Sequence, residues 1–337
     1  MRRTLLSLSV VALVAAGCGG TDGSEGGSGA DAKQTLIDGI KQLEASEGLT
    51  ATFTVQSTPE SVQALAADGG DELGSDDASL ILGSSMTVSG VEGDSPEDGV
   101  SEVIFDLGGV DALDLRVIGR DFYLRSDVRG VVETLGEDSA QIDQAAAQFA
   151  TQPGFEFVEP ALNGEWLALE GGSELSKSFT GSDTTTLSQQ QVLEGFVRSV
   201  SQSADVTQEG ADDAGTHLVA TLPLRDLYED YSALLEQVPM GAAGGSDLPE
   251  AGDLPEAGDL PEGGELIVDA WVRDGALSQI ELDLLQFADE ADQPIPAGVD
   301  EFALRFTIAA FDGAIDPPEG AVTVDLMQVL GAFGGGF

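Results

Sequence analysis

Leu49-Thr50-Ala51-Thr52-Phe53-Thr54-Val55 carries an apolar residue at every odd position and threonine at every even one. Successive side chains of an extended chain point to opposite faces. The stretch therefore predicts a strand with one face for a core and the other for water. Similar runs recur along the chain. Leu80–Val88, Val100–Leu107 and Leu113–Val117 are expected strands, and Val117–Arg125 a hairpin turning at Gly119-Arg120-Asp121. Gly164–Leu169 follows a turn at Asn163-Gly164. His217–Leu222, Leu266–Val272, Leu277–Leu285, Phe302–Ala310 and Val322–Leu326 complete the series, with a hairpin turn at Arg273-Asp274-Gly275.

Amphipathic helices are fewer. Asp31 is placed to cap a helix to about Ser46, with Leu36, Ile37, Ile40 and Leu43 on one face. Pro59 opens a short helix through Val62, Leu65 and Ala66, and Pro223 one with Leu227, Tyr231, Leu234 and Val238 on a face. Gln141–Ala150 and a Ser188-capped segment through Val192, Leu193, Phe196 and Val200 are the others. Many period-two strands with a few amphipathic helices predict an α+β domain. Acidic loops are expected at 68–77 and 92–98, and a polar loop over 171–183. Residues 247–264 repeat Asp-Leu-Pro-Glu-Ala-Gly, ending in Asp-Leu-Pro-Glu-Gly-Gly. Proline and glycine in every unit deny it a strand ladder, so it reads as a surface insertion.

The start of the chain has a different character. Arg2 and Arg3 precede an apolar run from Leu5 to Val14, and Ala15-Ala16-Gly17 supplies small residues before Cys18, the single cysteine of 337 residues. The apolar run is shorter than the roughly 20 residues a membrane span needs, and it has the layout of an export signal over residues 1–17. Ala15-Ala16-Gly17-Cys18 resembles a bacterial lipobox, in which the cysteine is acylated and becomes the mature N-terminus. That resemblance implies a diacylglyceryl anchor with fatty-acyl chains such as palmitate, and a lipid-anchored protein on the extracytoplasmic side of the cell membrane. Residues 18–30 would then be the lipidated cysteine and a flexible tether rich in Gly and Ser, and 31–337 a single domain.

The net charge is −48, with 61 Asp+Glu against 13 Lys+Arg. Loss of residues 1–17 would bring it to −50. Such a surface repels phosphate backbones and anionic headgroups, which excludes DNA and RNA as partners and leaves membrane attachment to acyl chains. With Cys18 acylated no internal disulfide forms, so stability rests on packing.

Catalytic patterns are missing from the sequence. His217, the lone histidine, shares a strand face with Val219 and Thr221, opposite Leu218, Ala220 and Leu222. There is no Gly-x-Ser-x-Gly elbow, no His/Cys cluster for a metal and no Gly-x-x-x-x-Gly-Lys loop for phosphates. No catalytic residue, metal ligand or cofactor is assigned, and the protein is expected to be a monomer without enzymatic activity.

Several short elements, taken in order, resemble the mycobacterial and actinobacterial lipoproteins of the LppX/LprG type, relatives of the LolA-like envelope carriers. They are Val117–Arg125, Gly164-Glu165-Trp166, Gly215-Thr216-His217-Leu218 leading into Thr221-Leu222-Pro223, Val268–Val272 with Asp274-Gly275, and Pro317-Pro318-Glu319. The resemblance implies a strongly curved antiparallel sheet, a half-barrel, with helices packed on its concave side. It also implies an apolar cavity for a lipid-like ligand between sheet and helices. Alternation and resemblance together nominate Phe53, Val55, Ile104, Leu115, Tyr123, Trp166, Trp271, Leu282 and Phe306 as its lining. The alternative of a different class is an acidic interaction module with a solid core, meeting a protein partner or weakly binding calcium.

The lipobox resemblance carries its own test. Cys18→Ser is expected to leave the chain unprocessed or to release it from the membrane fraction. A variant cleaved and membrane-bound like wild type would contradict acylation at Cys18.

Overall fold

The computed structural model describes residues 29–43, 45–70, 72–91, 93, 99–149, 155–170, 197–198, 200–228, 263–287 and 295–325. Cys18, most of the tether, the polar loop over 171–183, most of the Ser188-capped segment and nearly all of the hexapeptide repeat lie outside these residues.

In chain order the elements begin with α1 (Gly29–Leu43), β1 (Gly48–Ser57), α2 (Pro59–Gly69), α3 (Ser75–Leu82), β2 (Ser85–Val91) and β3 (Val100–Leu107). Next come β4 (Val110–Ile118), β5 (Asp121–Arg125), α4 (Val128–Thr134), α5 (Ser139–Phe149), α6 (Val158–Leu162) and β6 (Leu167–Glu170). The chain continues with β7 (Asp205–Asp212), β8 (Gly215–Pro223), β9 (Glu265–Arg273), β10 (Ala276–Asp283), β11 (Phe302–Ala310) and β12 (Val322–Asp325). The strands form an open sheet in the order β12-β6-β5-β4-β3-β2-β1-β11-β10-β9-β8-β7. Pairing is antiparallel from β7 to β9 and from β10 through β11 and β1 to β6, and parallel at the β12–β6 edge. Backbone contacts separate two compact units, one holding 1–45 with 176–278 and the other 46–175 with 279–337.

The first unit is α1 laid on β7 to β9. Ala32, Leu36, Ile37, Ile40 and Leu43 make the buried stripe of α1. On the strands Val206, Leu218, Ala220, Leu222, Val268, Ala270 and Val272 are buried, with Leu218 0% exposed and Ile40 1%. The helix sits so close that a Cβ on Gly39 would stand 2.8 Å from Val272 Cγ2. Glycine in a helix interior is unfavourable, and this approach is what it permits. β7 escapes a reading from sequence because it is a charged sheet-edge strand with Val206 alone buried. The β9–β10 turn is as expected, with Asp274 and Gly275 both at positive φ (55° and 82°), the geometry of a two-residue hairpin loop.

In the second unit Asp76 and Asp77 overturn part of the expected pattern. Ser75, Asp76 and Asp77 begin α3 instead of extending a loop, and the expected strand at Leu80 is its last turn, ending at Leu82. Acidic residues suit a helix N-terminus, and the Asp77 carboxylate accepts a hydrogen bond from the Gly74 N–H (3.1 Å). Two other boundaries move. α1 starts at Gly29, which puts Asp31 inside its first turn, and Pro223 closes β8, with helical backbone beginning at Leu224.

Register then gives this unit two unlike faces. β1 is the reference strand. Ala51 faces Ile308 on β11 and Val88 on β2, which faces Val103, then Leu115, Leu124, Leu167 and Val322 on successive strands. Phe53 faces Phe306 and Met86, and Val55 faces Leu304, which faces Leu282. The other face carries Thr50, Thr52, Thr87, Ser89, Glu102, Asp114, Arg116, Arg125, Arg305 and Glu281. Hydroxyl pairs cross it, with Thr50 to Ser89 at 2.9 Å and Thr52 to Thr87 at 3.0 Å.

Two substitutions test the packing of the first unit. Ile40→Ala is expected to cost about 2–5 kcal/mol and Gly39→Val about 1–3 kcal/mol or more by overpacking, both read by chemical denaturation. A cost below about 0.5 kcal/mol for either would contradict the tight seat of α1.

Candidate functional site

The second unit carries an extended apolar face. The rows through Ala51, Phe53 and Val55 hold no polar side chain, with Ser101 and Ser57 on the flanking rows, yet most of their members are only half-buried: Phe53, Val55, Met86, Val88, Val103, Leu115, Leu124, Leu304 and Leu282 are all of that kind. Phe306, Ala51 and Ile308 near the middle are buried. Phe53 and Phe306 meet edge to face, with ring centroids 4.7 Å apart and planes at 72°.

Of the nominated lining, Phe53, Val55, Leu115, Leu282 and Phe306 share this face. The contact between Phe53 and Phe306 makes them neighbours and not opposite walls of a void. Ile104 and Tyr123 point to the other face, where their direct cross-strand partners are Asp114 and Arg116. Alternation gives the phase within one strand but not between strands, and a one-residue offset moves a side chain across the sheet. Trp166, just before β6, lies with those charged groups, and Trp271 belongs to the first unit.

The polar face has a centre that the sequence reading missed. Asp114 is 1% exposed. Its Oδ2 accepts from Arg125 Nη2 at 3.0 Å and stands 3.9 Å from Arg116 Nη2, while Oδ1 has no partner. Arg116 donates from Nε to Glu102 at 2.6 Å and from Nη1 to the Asp316 carbonyl at 3.3 Å. Both guanidinium groups lie over the Trp166 ring, 4.5 Å and 5.0 Å from its centroid. Each such contact stabilises by about 0.5–2 kcal/mol according to its exposure. Burial raises the Asp114 pKa above its usual 3.8, and the Glu102 carboxylate adds to the rise; the two arginines oppose it and lose. Charged residues at Asp114 and Arg116, set between Leu113, Leu115 and Val117, were the available sequence signal.

Beside this cluster lies an open cleft of about 520 Å³, lined in part by Asp111, Arg125, Asp127, Arg129 and Asn163. Arg129 is committed within the protein. It donates to Asp143 from Nη2 and Nε (2.8 and 3.1 Å) and to the Leu162 carbonyl from Nη1.

In the first unit His217 stacks on Trp271, with centroids 4.5 Å apart and planes at 9°, and its Nε2 is 2.6 Å from Asp269 Oδ1. Trp271 Nε1 donates to Asp212 Oδ2 at 2.8 Å. That bond, with backbone N–H groups of Ala214 and Gly215, holds the Asp212 carboxyl below the usual range. Ser278 Oγ donates to the Ala214 carbonyl (2.7 Å) and lies 3.1 Å from that of Trp271. The tryptophan thus ties the β7–β8 turn to β9. Asp269 is the side-chain hydrogen-bond partner of the His217 ring among the described residues.

No family model matches the sequence, and no curated protein matches it. Among solved structures the chain is similar to the crystal structure of the Mycobacterium tuberculosis lipoprotein LppX, which aligns over 86% of this chain and 99% of that one. The identity is 11% and the TM-score 0.33. A likeness that loose carries no weight for function, which has to rest on the faces described above.

Asp114 gives a pH test. A carboxyl whose folded pKa is raised binds its proton more readily folded than unfolded. Its contribution to stability is greatest below 3.8 and falls as pH rises through the raised folded value. Asp114→Asn keeps the shape and removes that fall. Melting curves across this pH range are expected to show wild type losing stability relative to the variant as pH rises, and parallel curves would contradict the burial effect.

Proposed function

We propose that this protein is a membrane-anchored lipoprotein of the cell envelope, exposed on the extracytoplasmic side, that binds or carries a hydrophobic, lipid-like ligand and has no enzymatic activity. The ligand site is the apolar face of the second unit. In this reading the sheet curves around the ligand with helices on its concave side, and Cys18 carries the acyl anchor.

One observation supports the ligand site above the others. Row after row of apolar side chains on this face is left half-exposed, whereas a finished core buries such residues. An acyl chain contributes about 0.8 kcal/mol per buried methylene, so a ten-carbon stretch offers roughly 8 kcal/mol against an association cost of about 4–15 kcal/mol. Longer or paired tails give a clear surplus. The tails then dominate affinity.

The alternative, a solid acidic module binding a protein or calcium weakly, is favoured by the first unit alone. Its sheet is packed tightly under α1, with Leu218, Leu222 and Ile40 almost fully buried. This is why the lipid reading is assigned to the second unit.

Val55→Trp separates the two readings. Against a ligand-holding face the added ring occupies space the lipid uses, so uptake of a fluorescent fatty acid is expected to fall about ten-fold with melting little changed. Against a solid core it overpacks and costs about 1–3 kcal/mol. Destabilisation together with no uptake by wild type would overturn the carrier reading.

A further inference from the structure

Among the described residues the large apolar side chains left exposed on the second unit are Leu135 (55%), Ile81 (42%) and Phe105 (39%), each on a segment that meets one turn. Phe105 lies between Leu113 and Met86, which faces Phe53 and through it Phe306, so it is the exposed member of a row on the apolar face. Three residues later the chain turns at Gly108-Gly109. A Cβ on Gly108 would lie 2.5 Å from Leu80 Cδ1 and 3.6 Å from Thr134 Cγ2, which brings the last turns of α3 and α4 onto that turn. Ile81 and Leu135 are the residues next to Leu80 and Thr134.

We propose that this rim is the portal of the ligand face: it docks on the surface of an electrically neutral phospholipid bilayer, and acyl chains pass over Ile81, Leu135 and Phe105 to the row behind them. The proposal rests on the lipid-binding reading of the same face. Two features select a neutral bilayer as occupant. Phe105 belongs to the apolar row, so an acyl chain that reaches it meets only apolar side chains along that row. The segments that form it, 75–82, 105–110 and 133–138, carry Asp76, Asp77, Asp106, Glu133, Glu137 and Asp138 and no lysine or arginine. That fringe repels anionic headgroups and tolerates zwitterionic ones.

The test uses the acylated protein reconstituted in phosphatidylcholine vesicles and follows transfer of a fluorescent acyl lipid from donor vesicles. The double variant Ile81→Gln/Leu135→Gln leaves the sheet face untouched. It is expected to transfer about ten-fold more slowly, with equilibrium uptake of a fluorescent fatty acid from solution and melting unchanged. Wild-type transfer is expected to slow as phosphatidylglycerol is added to the donors. Equal rates in both proteins, with fatty-acid uptake intact, would overturn the portal and leave the lipid reading standing. A rate that rises with phosphatidylglycerol would overturn the neutral-bilayer assignment and point to a cationic docking surface. Absence of fatty-acid uptake by wild type would remove the lipid reading and the portal with it. If the double variant melts early, the single variants decide by the same rates, each expected between wild type and the double.

Discussion

Cross-strand register governs the second unit. Once Ala51 is opposite Ile308 and Val88, the phase of β1 is imposed on its neighbours strand by strand out to β6 and β10. A slip of one residue in any pairing would put threonines and charges among the apolar rows, so those rows and the register hold each other in place. No disulfide joins these strands, and the consistency of the pattern does that work through packing and backbone pairing. The face that results has more apolar surface than its immediate neighbours bury, and the proposed function grows out of that excess.

The opposite face shows what the sheet tolerates when polar groups are enclosed. Asp114 is buried with one oxygen unpartnered, an arrangement that destabilises unless neighbours compensate. Arg125 and Arg116 offset part of that cost through the other oxygen, and each also lies over Trp166, so the indole, the guanidinium groups and the carboxyl form one assembly. In a chain with few cations, spending two of them here is consistent with a structural clamp on β4, β5 and the start of β6. Trp271 has a comparable place in the first unit, where its N–H and ring are occupied by Asp212 and His217. Both tryptophans are amphipathic struts, which explains why neither sits on the apolar face.

Much of the fold is legible in the sequence because period-two alternation is a local signal. Phe302–Ala310 matches β11 end to end, and Leu49–Val55 lies within β1. The misses have physical causes. β7 alternates poorly because it is a charged edge, and α3 looks like a loop because its opening turn is all acid and serine. The candidate site was half legible. Phe53, Val55, Leu115, Leu282 and Phe306 follow from alternation, whereas Ile104 and Tyr123 go to the other side through a register that no single strand encodes. Asp114 was passed over because its meaning depends on Arg125, Arg116 and Trp166, which only folding brings together.

Native mass spectrometry of the purified protein, before and after organic extraction, addresses the central claim most directly. A protein whose apolar face holds lipid will carry discrete adducts beyond the covalent mass of the acylated chain. Extraction will remove them, and added fatty acid will restore them. A single mass unchanged by extraction, with no adduct formed on adding fatty acid, would contradict the account.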